Sequence, residues 1–166
     1  EVHVQGQEKR FAYTTLTAIR GLCAAAELAE SRGEMARAAT YQDAARDLQT
    51  ALLTHLVTVD DVIAQSYEDV QRGWGYLDAA VVEAVNFGIV WPGSPRITAT
   101  FQAFYDHLVP ASGRGFMRND DGGCSAESCG GGLVRIAAEA QDAVADVAHI
   151  QGVVLVQPLE GLRDHV

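Results

Sequence analysis

The chain has 166 residues, a length that fits one folded domain or part of a larger one. Its composition, 48% apolar and 20% charged, is globular, and a formal net charge of −10 without any basic stripe excludes nucleic acid as an expected partner. No apolar run approaches the ~20 residues that span a bilayer, and no signal segment opens the chain. We therefore expect a soluble protein with no membrane partner, and the cytoplasm is slightly favoured as its location.

Two helices joined by a short turn are predicted in the first third of the chain. The first is expected over residues 12–31, because alanine is abundant there and apolar side chains recur at three- and four-residue steps. Its buried stripe is expected to comprise Leu16, Ile19, Leu22 or Cys23, and Ala26. Arg32 and Gly33 supply a stop, because glycine tolerates the left-handed backbone at a helix end. A second helix over residues 34–56 then completes an antiparallel hairpin. Its inward stripe is expected to comprise Met35, Ala38, Ala45, Leu48, Leu52 and Leu56.

A second helical hairpin is predicted after a mixed, turn-rich stretch over residues 57–75. Its first helix is expected from about residue 76 to 86–88, with Leu77, Val81, Ala84 and Val85 buried. Ser94 and Pro95 then predict a helix start, because serine caps the first turn and proline fits the first helical position. This last helix is expected to run to about residue 108, with one face formed by Ile97, Phe101, Phe104 and Leu108. The fold class is therefore all-α, with consecutive antiparallel hairpins whose apolar faces need neighbours in a closed ring or a stacked solenoid.

The composition changes after residue 122, and we divide the chain there. Residues 123–166 are first glycine-rich and then rich in alanine and valine, without any aromatic side chain. We expect this tail to be aberrant or truncated, and a reading-frame change is one hypothesis for it. A disulfide between Cys124 and Cys129 is one alternative for these two residues, whereas Cys23 is expected to pack as a small apolar residue. We predict no metal site and no cofactor, because the cysteines lack a second ligand pair and the histidines are scattered.

Three segments up to residue 122 carry a resemblance to a known family. The first is Glu1-Val2-His3-Val4, followed by Phe11-Ala12-Tyr13-Thr14-Thr15 and the alanine-rich helix. The second is Gly75-Tyr76-Leu77-Asp78-Ala79-Ala80, followed by Phe87-Gly88 and Ser94-Pro95-Arg96-Ile97-Thr98-Ala99-Thr100. The third is Gly115-Phe116-Met117-Arg118, continuing into Asn119-Asp120-Asp121-Gly122. Their order and intervals resemble the catalytic domain of glycoside hydrolase family 15, which includes glucoamylase, glucodextranase and a bacterial trehalase.

This resemblance implies that residues 1–122 are part of an (α/α)6 barrel, and that the enzyme hydrolyses α-glucosides with inversion in carbohydrate metabolism. In that reaction an acid protonates the leaving oxygen while a carboxylate about 6.5–9.5 Å away activates water. Glu1 corresponds to the general acid, and Val2 replaces the second glutamate of glucoamylases, which favours bacterial relatives. The segment that carries the catalytic base is not recognised, since Glu139 and Glu160 lie in the unmatched tail. We therefore expect this chain alone to be inactive, with the rest of the barrel or self-association covering its open edges.

The resemblance also implies substrate contacts. Arg118 corresponds to an arginine that hydrogen-bonds substrate hydroxyls near the cleaved bond, and an oligosaccharide or another α-glucoside is the expected ligand. Trp74 and Tyr76 are candidates for stacking on sugar rings, although packing between hairpins explains them equally well. A non-enzymatic helical-repeat module that binds a protein partner is the alternative function.

Overall fold

The computed structural model describes residues 8–110 and 116–120. Helices make up 63% of this part of the chain, which contains no strand. The order of elements is α1 (Ala12–Ser31), α2 (Met35–His55), α3 (Tyr67–Arg72), a 3-10 helix (Ala79–Val82), α4 (Glu83–Asn86) and α5 (Pro95–His107). The mostly helical content agrees with the predicted all-α class. The tail over residues 123–166, with Cys124 and Cys129, lies outside the described residues.

Helices α1 and α2 pack against each other across the turn that the sequence predicts. Gly33 adopts a φ of 75°, in the left-handed region where a side chain is disfavoured. Cys23, rather than Leu22, occupies the buried face of α1. Met35 was expected in the buried stripe of α2, but this prediction is wrong, because its side chain is 62% exposed. Met35 is the first residue of α2 and lies at the turn, where α1 has already ended.

The segment between α2 and α5 differs most from expectation. Residues 67–72 form α3 within a stretch predicted to be irregular, because Ser66 caps the helix by accepting a hydrogen bond from the Asp69 N–H at 3.2 Å. Six residues are too few to show an apolar period, so only this cap could have indicated the helix. The next helix begins at Ala79 rather than near residue 76, because Asp78 is extended and its carboxylate caps the Ala80 N–H at 2.8 Å.

Helix α5 begins as predicted, with Ser94 accepting from the Ile97 N–H at 3.2 Å and Pro95 in the first helical position. Its fully buried Phe104 lies 6.1 Å, centroid to centroid, from the ring of Phe116. These rings join a single apolar core that also includes residues of α1, α2 and the segment before α3. The core therefore anchors residues 116–120, which carry Arg118, to the helical body.

Candidate functional site

An ion pair between Arg118 and Asp78 joins the two segments that the sequence singled out. The guanidinium donates from Nε to Asp78 Oδ1 at 2.5 Å and from Nη2 to Oδ2 at 3.2 Å. The Asp78 side chain is 6% exposed, whereas that of Arg118 is 47% exposed. The backbone reinforces the pair, because the Ala79 N–H donates to the Arg118 carbonyl at 2.7 Å and Asp78 forms an antiparallel bridge with Asn119. A buried carboxylate thus holds an accessible arginine in one orientation.

Tyr13 lies beside this pair. The guanidinium carbon of Arg118 is 6.0 Å from the centroid of the Tyr13 ring, which is within the range of a cation–π contact. Tyr13 is the second residue of α1, and its side chain is exposed. An aromatic ring and a fixed guanidinium therefore lie next to each other at the surface.

Gln65 connects the arginine segment to the aromatic segment. This buried residue donates its N–H to the Tyr76 carbonyl at 2.7 Å and its side-chain Nε2 to the Gly75 carbonyl at 3.0 Å. Its Oε1 accepts from Asn119 Nδ2 at 3.4 Å, and its carbonyl accepts from the Ala12 N–H at 2.7 Å. One buried glutamine thereby fixes three segments of the chain relative to one another.

Tyr76 lies in the same connected region, with its side chain half-buried. Burial raises the pKa of its phenol, and the negative charges of Asp60 and Asp120 add to this effect. Asp120 also accepts a hydrogen bond from the Leu77 N–H at 2.8 Å. The Tyr76 phenol therefore keeps its proton to a higher pH than an exposed tyrosine does.

Trp74 is exposed, with 61% of its surface accessible. The guanidinium carbon of Arg72 lies 4.0 Å from the centroid of its indole. Arg72 in turn pairs with Asp69, its Nη2 lying 2.6 Å from Oδ1. Asp69, which is 1% exposed, also binds Lys9 Nζ at 3.0 and 3.1 Å and accepts a short hydrogen bond from Ser66 Oγ.

The structure describes some of the predicted site residues and not others. Arg118, Trp74 and Tyr76 lie on segments that Gln65 connects, whereas Glu1 lies outside the described residues. Sequence reasoning missed Asp78, although its position before an alanine-rich turn is typical of a helix cap. It also missed Gln65, for which the sequence offers no signal, because its contacts are set by the tertiary fold.

Other features of this part of the chain bear on the kinds of ligand. In residues 8–110 and 116–120, no group of three or more histidine, cysteine, aspartate or glutamate side chains could hold a metal ion. Among the same residues, no helix combines the length and apolar character needed to cross a membrane. Burial raises the pKa of the Cys23 thiol, which packs in the core as predicted.

Comparisons with known proteins add nothing to this geometry. The searches of protein-family models, of curated proteins and of solved structures each found no match to the chain.

Proposed function

We propose that this chain is part of the catalytic domain of an inverting glycoside hydrolase that acts on α-glucosides. The observation that carries the proposal is the pairing of the accessible Arg118 with the buried Asp78 beside the Tyr13 ring. A planar guanidinium that is held in place offers donors in fixed directions, as recognition of sugar hydroxyls requires. Aromatic rings next to it offer apolar faces for the C–H face of a pyranose.

The barrel arrangement belongs to the same proposal. We infer that the helices are consecutive antiparallel hairpins of an (α/α)6 barrel and that residues 1–122 form its recognisable part. The packing of α1 on α2 across a short turn supports this inference. So does the position of Trp74, Tyr76 and Arg118, none of which lies within a helix.

The catalytic chemistry is proposed from the resemblance. Glu1 would act as the general acid, and a carboxylate outside the recognised segments would activate water on the opposite face of the sugar. Arg118, Trp74 and Tyr76 would bind the glucosyl units and orient the bond to be cleaved. Without an identified base, the chain alone is expected to bind sugars but not to hydrolyse them.

Sugar binding is therefore the test. Isothermal titration calorimetry of the full chain with maltose, isomaltose and trehalose should give saturable binding to at least one of these sugars. Arg118→Ala should weaken that binding about tenfold or more, as expected for the loss of hydrogen bonds to a charged donor. Arg46→Ala is the matched control, because Arg46 pairs with Asp43 on the exposed side of α2 at 2.7 Å. No binding of any of the three sugars, or equal effects of the two substitutions, would contradict the proposal.

A protein-binding helical module is the second candidate, and one observation favours it. Leu28 near the end of α1 and Met35 at the start of α2 are 53% and 62% exposed, and they flank the same turn. Such apolar side chains suit a protein partner better than a sugar. If Leu28→Ser with Met35→Ser abolished self-association or partner binding while no sugar bound, this second function would replace the first.

A further inference from the structure

The cluster around Asp69 places two cations on one buried carboxylate. Lys9 and Asp69 are both buried, and Arg72 completes the cluster from the last turn of α3. Removing these charges from water is expensive, and apolar side chains of similar volume often stabilise a fold as well as a buried ion pair does. The cluster is therefore better explained by the orientation that it imposes than by stability alone.

Arg72 transmits that orientation to the following loop. Its Nε donates to the Trp74 carbonyl and its Nη2 to the Gly75 carbonyl, each at 3.0 Å. The same guanidinium covers one face of the Trp74 indole at 4.0 Å. Gly73, with a φ of 79°, allows the chain to turn back so that all three contacts form at once. Trp74 is thus held through both its backbone and its ring.

The remaining surface of Trp74 is open. Trp74 is 61% exposed although Arg72 covers one face of its indole, so the residue offers an accessible aromatic surface. An immobilised aromatic surface loses little conformational freedom on binding, which favours affinity. Arg72 shares the single Asp69 carboxylate with Lys9, so this charge does not select the ligand, and the uncharged glucosyl ring follows from the proposed function.

We propose that Lys9, Asp69 and Arg72 are positioning residues that hold the Trp74 indole as a stacking surface for a glucosyl ring. This inference rests on the proposed function, which supplies the occupant. Hydrogen bonds connect the surface to the sugar-contacting arginine, because Gln65 binds the Gly75 carbonyl on one side and Asn119, the neighbour of Arg118, on the other.

The chain contains two tryptophans, which makes the test specific. Trp91→Phe leaves Trp74 as the single indole fluorophore of the full chain. Saturating maltose or isomaltose should then quench or shift its emission, and the midpoint should match the calorimetric affinity. The reciprocal variant, Trp74→Phe, reports Trp91 and should show no change, while its phenyl ring should retain part of the affinity that Trp74→Ala loses.

The positioning role is tested in the Trp91→Phe background by Arg72→Lys. Lysine keeps a cation beside Asp69 but cannot cover the ring while donating to two carbonyls. We expect the fold to be retained by circular dichroism, the fluorescence anisotropy of Trp74 to fall, its quenching by acrylamide to rise, and sugar affinity to weaken about tenfold. Arg72→Leu tests the same contacts with the cation removed and should lower the anisotropy further.

The outcomes separate this inference from the proposed function. If a sugar binds with a dependence on Arg118 but leaves Trp74 emission unchanged, the stacking surface is refuted and the proposed function stands. If sugar quenches Trp74 but Arg72→Lys changes neither anisotropy nor affinity, the positioning role is refuted. If no sugar binds at all, the proposed function fails and this inference fails with it.

Discussion

Replacing Asp78 should separate two roles of one buried carboxylate. Its Oδ1 caps the 3-10 helix through the Ala80 N–H, and both oxygens bind the Arg118 guanidinium. Asp78→Ala removes the cap and the ion pair together. Asp78→Asn keeps an oxygen for the cap and for Arg118 Nε, but it removes the charge and the acceptor for Arg118 Nη2. The difference between the two variants therefore measures the cap together with the remaining hydrogen bond from Nε.

The structure sets the size of each effect. Breaking a fully buried pair costs about 3–5 kcal/mol, but the Arg118 side chain is 47% exposed and regains water, so we expect about 1–2 kcal/mol for the charge. Loss of a helix cap adds about 1 kcal/mol. The free energy of unfolding should therefore fall by about 2–3 kcal/mol in Asp78→Ala and by about 1–2 kcal/mol in Asp78→Asn.

Urea denaturation of the single variants and of the double variant with Arg118→Ala measures the coupling directly. We expect about 1–2 kcal/mol between Asp78 and Arg118. The pair Asp43–Arg46 is the control, because both side chains are exposed on α2, and its coupling should stay below about 0.5 kcal/mol. Equal coupling in the two pairs would refute the argument that Asp78 holds Arg118 in place.

Three further predictions concern stability. Thr100→Val should lower the free energy of unfolding by about 1–3 kcal/mol in urea denaturation, because the buried hydroxyl accepts from the Ile63 N–H at 3.0 Å. The control Thr98→Val, on the exposed side of α5, should change it by less than about 0.5 kcal/mol. Similar losses in the two variants would contradict this reasoning. Gly21→Ala should raise the thermal midpoint of unfolding, because nothing lies within 4 Å of the added methyl group in α1. Gly73→Ala should lower the midpoint by the equivalent of about 1 kcal/mol, because Gly73 has a φ of 79°. A change of the same sign in both variants would refute the backbone argument. Burial raises the pKa of the Cys23 thiol, so the folded state holds this proton more tightly than the unfolded state does. The resulting stabilisation is complete below pH 9.0, the ordinary pKa of the thiol, and it declines as the pH rises further. Cys23→Ala should therefore show a shallower loss of stability between about pH 8 and pH 10, and an unchanged slope would contradict this assignment.

The sequence was sufficient for the long helices because their signals are local. The bounds of α1 follow from its apolar spacing and from Gly33, and the start of α5 follows from Ser94 and Pro95. Each of these signals acts within a few residues, so no knowledge of the tertiary fold is needed. Met35 was misplaced because periodicity assigns a face to a residue but does not show where the neighbouring helix ends.

Most of the candidate site could not be predicted in the same way. The contact from Lys9 to Asp69 spans 60 positions, and the one from Asn119 to Gln65 spans 54. Such pairs are set by how the helices pack, which a single sequence does not specify. The resemblance singled out Arg118, but its partner Asp78 was read as part of a helix, because alanines and apolar residues follow it.

The distribution of buried polar side chains favours a binding role for the connecting segments. Gln65, Ser66, Asp69 and Asp78 are buried in or beside α3 and the loop that follows it, whereas the buried faces of α1 and α2 are apolar. A loop without regular hydrogen bonding keeps one conformation only if side chains satisfy its backbone, and these side chains lose hydration when they are buried. A connection that only linked two helices would not require such fixed geometry, and shorter or more mobile loops serve that purpose. The exposed ends of this polar framework are Trp74 and Arg118, and a fixed loop conformation between them is what the proposed binding surface requires.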